Sequence, residues 1–346
     1  MKKIGIYKLV HVKNWLSSIF AFIVLVVALL GAIIRPDHSE NANEQLISIA
    51  KLPPLTKVDV LLVAKNKVIN QKRWWLLLAN GGQEPLLETV PIDGMQLQGN
   101  RLKVKVKNTS GIEEYRYFLL ADVVYPLADE SLQAIVHNSD SILELKDLNG
   151  EVHHTSNEEL FQHIKEEHIT SNFYVLGTDP FGRDMLSRLM AGSYVTLIVG
   201  FLSMAISLIV GVTIGALGGY FGGNTDRAML WLMNVFWSIP TILIVIAITI
   251  LLSEGVVSLV IGIGLVLWVE VAQVIRGVVR SISNTDYIKA AKLMGTPIRR
   301  ILWHHVLPNL KGPILVLAST AFARAILLES GLNFLGVGIE LPRPSW

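Results

Sequence analysis

Residues 287–309, YIKAAKLMGTPIRRILWHHVLPN, form a basic segment between two long apolar runs. Residues 287–294 predict a short helix that Gly295 ends, because glycine is favoured just after a helix C-terminus. Thr296-Pro297 then starts a second helix, with the threonine as its cap and the proline in its first turn, and Leu307-Pro308 ends it. A basic helix–turn–helix beside apolar runs indicates a docking segment for a cytoplasmic partner.

The composition is that of a membrane protein. Of the 346 residues, 51% are hydrophobic and 17% are charged, and the mean hydropathy is +0.49. An ordinary soluble domain contains fewer apolar and more charged residues. The net charge of +2 gives no indication of nucleic-acid binding, and the absence of cysteine excludes disulfides, thiolate metal sites and cysteine nucleophiles.

Five apolar runs are long enough to be membrane spans. They cover residues 15–34, 191–217, 228–253, 255–275 and 312–328. The first run exceeds the length of a signal-peptide core and lacks a small-residue cleavage site, so we expect a retained anchor.

Basic residues beside the runs predict the orientation of the chain. The N-terminal tail is rich in lysine, which places the N-terminus in the cytoplasm. Alternation from there places residues 35–190 outside and residues 276–311 inside. The second of these stretches is strongly basic, with Asp286 as its single acid. The docking segment is therefore expected in the cytoplasm, where ATP is.

A polar insert, residues 35–176, separates the first two runs. Strand-like runs bounded by Gly and Asn turns occur at residues 58–64, 74–79, 102–106 and 115–124. Residues 157–168 predict a polar helix that leads back to the membrane. The expected fold is mainly α, a polytopic transmembrane helical protein with a β-rich extracytoplasmic insert between the first and second spans.

The docking segment resembles the EAA loop of ABC importer permeases through Ala290-Ala291, Gly295 and Leu307-Pro308. Residues 176–189, LGTDPFGRDMLSRL, are similar to the GTDxxGRD signature that precedes the second span in dipeptide, oligopeptide and nickel permeases. Further matches follow in the family's order at residues 218–223, 226–227, 238–240, 329–338 and 342–346. The resemblance covers residues 176–346, and the chain is identified as a member of this family, as its second-type (C-type) permease subunit.

This resemblance implies a non-catalytic, multi-pass permease subunit of the cytoplasmic (inner) membrane that moves peptides or similar small solutes. It implies a second permease subunit as the heterodimer partner, two ATP-binding subunits, an extracytoplasmic solute-binding protein and the lipid membrane as partners, and no nucleic acid. The chain contains no GxxxxGK[ST] phosphate loop. We therefore expect no cofactor in this chain, with ATP and magnesium bound by the partner subunits.

The resemblance also assigns site residues and domains. Its ATPase-coupling residues fall on Tyr287, Lys289, Ala290, Ala291, Gly295, Leu307 and Pro308. The expected domains are the tail and first helix at 1–34, the insert at 35–176, and the permease domain at 177–346 with a coupling loop at 284–310. Lys289 stands where the loop usually has Glu, and Gln273 where the family commonly has Arg. The family's sixth helix has no counterpart after residue 328, which indicates either a shortened chain or a lost span.

Charged residues and a proline within the runs are the candidate residues of a translocation path. Each charge costs about 3 kcal/mol at a span centre. We expect Glu270 to lie near the cytoplasmic end of its helix, where it snorkels or pairs with Arg276. Arg324 lies deeper, and it contacts either a peptide carboxylate or another subunit. Pro240 predicts a kink in the third span.

Two functions of other classes are compatible with the same features. In the first, the chain relays ATPase motion to its outer domain for signalling or mechanical work, without solute import. In the second, it is a membrane-anchored binding protein whose β-rich domain is the functional part. A partner ATPase is expected for the relay and not for the anchor.

A group of histidines has the donor types of a zinc or nickel site. His153, His154, His163 and His168 lie among glutamates. His163 and His168 are five residues apart, which does not place them on one face of an α-helix. We expect a solvated helix there and no metal site.

Overall fold

The computed structural model describes residues 2–67, 82–109, 111–127, 143–148, 150–253, 255–340 and 342–346. These residues divide into two compact units, Met1–Ala191 and Gly192–Trp346. The predicted division at residues 34 and 176 concerns position relative to the membrane and stays a prediction.

Unit 1 begins with a long helix and continues into an antiparallel β-sheet. Its helices are α1 (Lys2–Ile34), α2 (Leu120–Val124) and α3 (Asn157–His163), and a π-helical turn, Ile164–His168, follows α3. Its strands are β1 (Thr56–Ala64), β2 (Leu87–Gln98), β3 (Arg101–Val106), β4 (Glu114–Leu119), β5 (Leu143–Lys146), β6 (Val152–Thr155) and β7 (Ile169–Tyr174). The five-stranded sheet has the order β4-β3-β2-β1-β7, and β5 pairs with β6 in a separate hairpin.

The β-rich character of the insert is confirmed, with differences in detail. In β3 the apolar side chains are buried and the basic ones lie on the other face, as the alternating pattern predicts. The run 115–124 is a strand only as far as Leu119, since residues 120–124 form α2, whose buried side chains pack into the same core. The predicted strand 74–79 lies outside the described residues. Strand β2 was missed because Pro91 and Gly94 interrupt its sequence pattern.

The predicted polar helix over 157–168 is confirmed as α3 and its π-helical turn. Ser156 and Glu159 form a capping box at its start. The expectation that its histidines are solvated is wrong for His168, which is buried with Nδ1 2.7 Å from the carbonyl oxygen of Leu62. The π turn also brings the His163 and His168 rings to 5.6 Å, because its hydrogen bonds join residues five apart and so bring them close together.

Residues 177–184, which contain the signature motif, form a tight turn before the next helix. Gly182 has φ +74°, and a Cβ there would lie 1.8 Å from the carbonyl oxygen of Leu46, so only glycine fits. The Asp184 side chain accepts a hydrogen bond from the Ser187 amide, as a helix cap does. Arg183 is buried and bonds Asp179 at 2.6 Å, so its charge is paired within the turn. Burial raises the pKa of the Asp179 carboxyl, but hydrogen bonds from Arg183 outweigh this and hold that pKa below its ordinary value.

Unit 2 is helical. Its helices are α4 (Met185–Phe221, which begins in unit 1), α5 (Gly223–Trp237), α6 (Thr241–Leu251), α7 (Val256–Ser283), α8 (Asp286–Leu293), α9 (Ile298–Ile301), α10 (Leu307–Asn309) and α11 (Lys311–Phe334). Among the described residues, four helices are long and apolar enough to cross a membrane, or five if the bent pair α5 and α6 is one span.

Three predicted boundaries differ from the observed helices. The third span is broken between Trp237 and Thr241, where α5 and α6 meet at 86°; Pro240 causes more than the predicted kink, because it has no amide hydrogen to continue the helix. The stretch between the second and third predicted spans, residues 218–227, is helical except at Gly222, which separates α4 from α5. The fifth span does not end at residue 328, since α11 continues to Phe334 and buries Glu329 completely.

Glu329 is held within unit 2 by neutral polar groups. The hydroxyl of Thr196 donates to its carboxylate at 3.1 Å, and the Asn333 side chain donates to the same carboxylate. Asn333 also lies 2.7 Å from the Ser345 hydroxyl, and the Trp346 amide donates to Thr196. These bonds fasten residues 345–346 to α4 and α11.

Helices α4 and α7 pack closely against each other in the core of unit 2. Gly211, Gly215 and Gly219, spaced four residues apart on α4, form what we call the glycine seam. A Cβ at Gly215 would lie 2.5 Å from the carbonyl oxygen of Ala272, and a Cβ at Gly219 would lie 2.5 Å from that of Arg276. Such small-residue spacing lets two helix backbones approach closely in a membrane.

Gly215→Val is expected to destabilise the protein by about 1–3 kcal/mol, because the added side chain must force α4 and α7 apart. The matched control is Gly277→Val on α7, where a Cβ would meet nothing within 4 Å. Thermal unfolding of the purified protein in detergent measures both. Equal unfolding temperatures for the two variants would contradict the role of the seam.

Candidate functional site

The predicted coupling segment consists of short helices, as the sequence indicates. The first is α8, and Gly295 follows it with φ +76°, a conformation that glycine adopts without strain. The second begins at Ile298, with Pro297 rather than Thr296 at the cap position. The segment therefore has the predicted helix–turn–helix form.

One face of α8 packs into the core of unit 2. Ile288 and Ala291 are buried in a cluster with Tyr220 of α4 and with Ile275 and Val279 of α7. The Nζ of Lys292 lies 4.4 Å from the centre of the Tyr220 ring, a cation–π contact. Movement of α8 must therefore displace the ends of α4 and α7.

The other face of α8 ends in an exposed apolar tip. Leu293 is 89% exposed and Met294 is 78% exposed. Trp303, further along the segment, is 62% exposed. Side chains of this size are seldom exposed as a group unless they bind a partner. The tip was not predicted from the sequence, although Leu293-Met294 is visible there as an apolar pair directly before the turn at Gly295.

The remaining predicted coupling residues take different positions. Tyr287 is half exposed, with its ring 6.3 Å from that of His305. Lys289 is exposed and lies 3.6 Å from Asp286, so the acid in the first turn of α8 is close to the lysine that replaces the usual glutamate. Ala290 is exposed, whereas Ala291 belongs to the packed face.

Leu307 and Pro308 do not end the second helix as predicted. A π-helical turn, Leu302–Val306, precedes them, and α10 carries Pro308 in its first turn. The wider π turn accommodates a residue without an amide hydrogen, so the chain stays helical up to Asn309. With Trp303 and Lys311, these residues line an open hollow of about 530 Å³.

A buried acid connects α5 to the same region of α7. Asp226 accepts hydrogen bonds from the Nε and Nη2 of Arg276, the second at 2.7 Å, and from Arg280 at 3.0 Å. Its side chain is 10% exposed and that of Arg276 is 17% exposed. Two-pronged arginine–carboxylate pairs are the strongest type of ion pair. The expected pairing of Glu270 with Arg276 is therefore wrong, because Arg276 bonds Asp226.

Glu270 pairs with Arg324 instead. The two span charges that the sequence singled out separately form an ion pair between α7 and α11. Glu270 lies fourteen residues after Val256, or about 20 Å along the helix, and is therefore central in α7. The prediction that it lies near the cytoplasmic end of its helix is wrong. The Glu270 side chain is 44% exposed and that of Arg324 is 52% exposed, so this unit does not bury the pair.

A polar stripe on α7 continues from this pair. The residues that share a helix face with Glu270 are exposed, namely Gln273, Gly277 and Arg280. On the opposite face, Ile275 and Val279 are buried. A transmembrane helix face that meets lipid is apolar. The stripe therefore faces water or another protein.

Pro240, the third predicted path residue, lies at the break between α5 and α6 and is exposed. The break leaves exposed Trp237, Ser238 and Ile239 beside it.

Residues 207–346 match the family described as binding-protein-dependent transport system inner membrane component. The chain is 32% identical over 170 residues to the oligopeptide transport system permease protein OppC of Bacillus subtilis, which covers 49% of this chain and 56% of that protein. It is 36% identical over 173 residues to the di/tripeptide transport system permease protein DppC of Pseudomonas aeruginosa, covering 50% and 57%. The chain thus spans little more than half the length of these relatives.

A solved structure with partial similarity is the MetNI methionine ABC transporter in inward-facing conformations. It matches with a TM-score of 0.41 and 20% identity over 45% of this chain and 77% of that chain. The sequence comparisons, and not this structural match, agree with the family that the motifs predict.

Asp226→Asn is expected to lower the free energy of unfolding by about 2 kcal/mol, because the carboxylate is the shared partner of Arg276 and Arg280. The matched control is Asp286→Asn, whose side chain is fully exposed and which is expected to change stability little. Unfolding by denaturant in detergent measures both variants. If the Asp226→Asn protein were as stable as the control, the ion pair would make no contribution to the free energy of unfolding.

Proposed function

We propose that this chain is a permease subunit of an ABC importer, because residues 207–346 match the family of inner membrane components of binding-protein-dependent transport systems. In this function it moves peptides or similar small solutes across the cytoplasmic membrane. Separate subunits hydrolyse the ATP. The names of the relatives, oligopeptide and di/tripeptide permeases, support peptides as the solute.

The exposed apolar tip at Leu293-Met294 carries this proposal. It is the surface by which an ATP-binding subunit engages the chain, and the opposite face of α8 is packed against α4 and α7. A force applied to the tip therefore acts directly on two membrane helices. ATP binding changes the packing of these helices by favouring one of two arrangements.

The Glu270–Arg324 pair and the stripe beside it support a translocation path. A half-exposed ion pair near the middle of two long helices is unfavourable against lipid. Beside a water-filled path it is hydrated, and it meets solutes that carry charge. In transporters, solute sites commonly lie near the middle of the membrane.

The remaining partners and the orientation belong to the same proposal. The N-terminus and α8 lie in the cytoplasm, and the sheet of unit 1 lies outside. A second permease subunit completes the path, two ATP-binding subunits engage the coupling segments, and an external binding protein delivers the solute. The basic character of residues 276–311 supports this orientation.

Gly295→Val is expected to uncouple ATP hydrolysis from uptake. A β-branched side chain at φ +76° costs about 1–3 kcal/mol of backbone strain, which moves the tip relative to α8. The complex, co-purified with its ATP-binding subunits and reconstituted in vesicles, is assayed for ATP turnover and peptide uptake.

The matched control is Gly99→Val, which introduces a side chain at φ +64° in a hairpin of unit 1 with open space around it. It carries similar strain away from the coupling segment and is expected to keep hydrolysis and uptake coupled. Leu293→Ser, at an exposed position, tests the tip without backbone strain and is expected to weaken co-purification of the ATP-binding subunits. Normal coupling in Gly295→Val and Leu293→Ser would refute the assignment. ATP turnover without uptake in the unmodified complex would favour a mechanical relay.

Removal of one charge from the central ion pair is expected to reduce both stability and uptake. Glu270→Gln or Arg324→Gln leaves the other charge unpaired, at a cost of about 3 kcal/mol in a span centre. The double variant Glu270→Gln/Arg324→Gln removes both charges and is expected to recover stability while uptake stays low. Recovery of uptake together with stability would show that the pair is structural and not part of the path.

A further inference from the structure

The β5–β6 hairpin brings together three metal-ligand side chains that are separate in the predicted histidine group. Asp147 follows β5, Glu151 precedes β6, and His153 lies on β6. One ligand atom from each of the three residues lies within 4.8 Å of the other two. The hairpin turn is closed by hydrogen bonds from the Asp147 amide to the Glu151 carbonyl and from the Gly150 amide to the Asp147 carbonyl, both at 3.0 Å.

The separation of the ligand atoms fits a small divalent cation. His153 Nε2 lies 3.7 Å from Asp147 Oδ2, which is too long for a hydrogen bond. Zinc bonds nitrogen and oxygen at about 2.1 Å, so two ligands of a tetrahedral ion lie about 3.4 Å apart. Small movements of the three side chains are enough to reach that geometry.

The surrounding groups orient two of the ligands. The Glu151 amide donates to Asp147 Oδ1 at 2.8 Å, which leaves Oδ2 on the side of His153. The His153 ring stacks on Tyr125 with 4.2 Å between ring centres and 17° between planes. The Leu148 amide donates to the carbonyl of Pro126 at 2.9 Å, which ties the turn to the neighbourhood of Tyr125. Supporting contacts of this kind fix ligand direction in metal sites.

One atom in this arrangement has its hydrogen-bonding capacity unmet. His153 Nε2 is buried and has no hydrogen-bond partner among the described residues. Leaving a buried nitrogen without a partner is unfavourable, because the nitrogen has lost its contact with water. A metal ion at this point supplies the missing bond, because neutral imidazole nitrogen is a common ligand of zinc.

We propose that Asp147, Glu151 and His153 bind a divalent cation of the zinc class, with one nitrogen and two oxygen ligands. The ion links the end of β5 to β6 and so stabilises the hairpin. This inference departs from the sequence expectation of no metal site, and it is independent of the transport proposal. His163 and His168, the other two close histidines, do not form a comparable metal site. His163 pairs with Glu167 on an exposed surface, and His168 bonds the carbonyl oxygen of Leu62.

The test uses the full-length protein in detergent, from which metal has been removed with EDTA. Zinc is then titrated into the protein, and binding is measured by calorimetry. His153→Phe removes the ligand nitrogen and keeps an aromatic ring to stack on Tyr125. We expect at least about tenfold weaker zinc binding in this variant, as for the loss of groups that support metal sites. Glu151→Gln, at an exposed position, is expected to weaken binding in the same direction.

The matched control is His154→Phe, the adjacent exposed histidine, which is expected to bind zinc as the unmodified protein does. Cobalt substitution adds a second readout, since a tetrahedral site gives intense visible absorption that His153→Phe must lose. Zinc binding in His153→Phe equal to that of the unmodified protein would overturn the proposal. So would an equal loss in His154→Phe, or no zinc binding to the unmodified protein.

Discussion

The packing of α4 on α7 through the glycine seam is the constraint on which unit 2 depends. Helices in a membrane gain no hydrophobic energy by leaving lipid, so they associate through close van der Waals contact and polar bonds. The seam supplies the first and the Asp226–Arg276 pair supplies the second, on neighbouring turns of α7. Because α5, α6 and α11 also contact α7, this helix is the central element of the unit. It therefore moves only together with its neighbours.

The sequence predicted those features whose cause is local. Gly295 ends α8 because of its own conformational freedom, and the alternating residues of β3 give one buried and one solvated face whatever their partners are. Element boundaries that depend on distant contacts were wrong. Residues 120–124 have strand-forming composition but form a helix because they complete a core with β1 and α3. Strand β7 was missed because half of its side chains are polar, and its pairing with β1 decides its conformation.

Charge partners were the least predictable part of the candidate site. Arg276 is the basic residue nearest to Glu270 in the sequence of the same helix, whereas the actual partner, Arg324, lies on α11. Asp226 lies between the second and third apolar runs, and its burial beside two arginines depends on how α5 meets α7. Ion pairs between helices follow from packing angles and not from spacing, so no pattern within one helix reveals them.

Two exposed surfaces among the described residues of unit 2 require different environments. The tip at Leu293-Met294 is apolar and follows the C-terminal end of α7, while the pair at Glu270 is charged and lies about 20 Å further along that helix. Apolar side chains in water and charges in lipid are both unfavourable, for opposite reasons. The tip lies at the end of α8 and the charge lies on α7, and each of these helices has another face packed in the core. Together they require a protein partner at the tip and a hydrated or protein-lined surface at mid-depth.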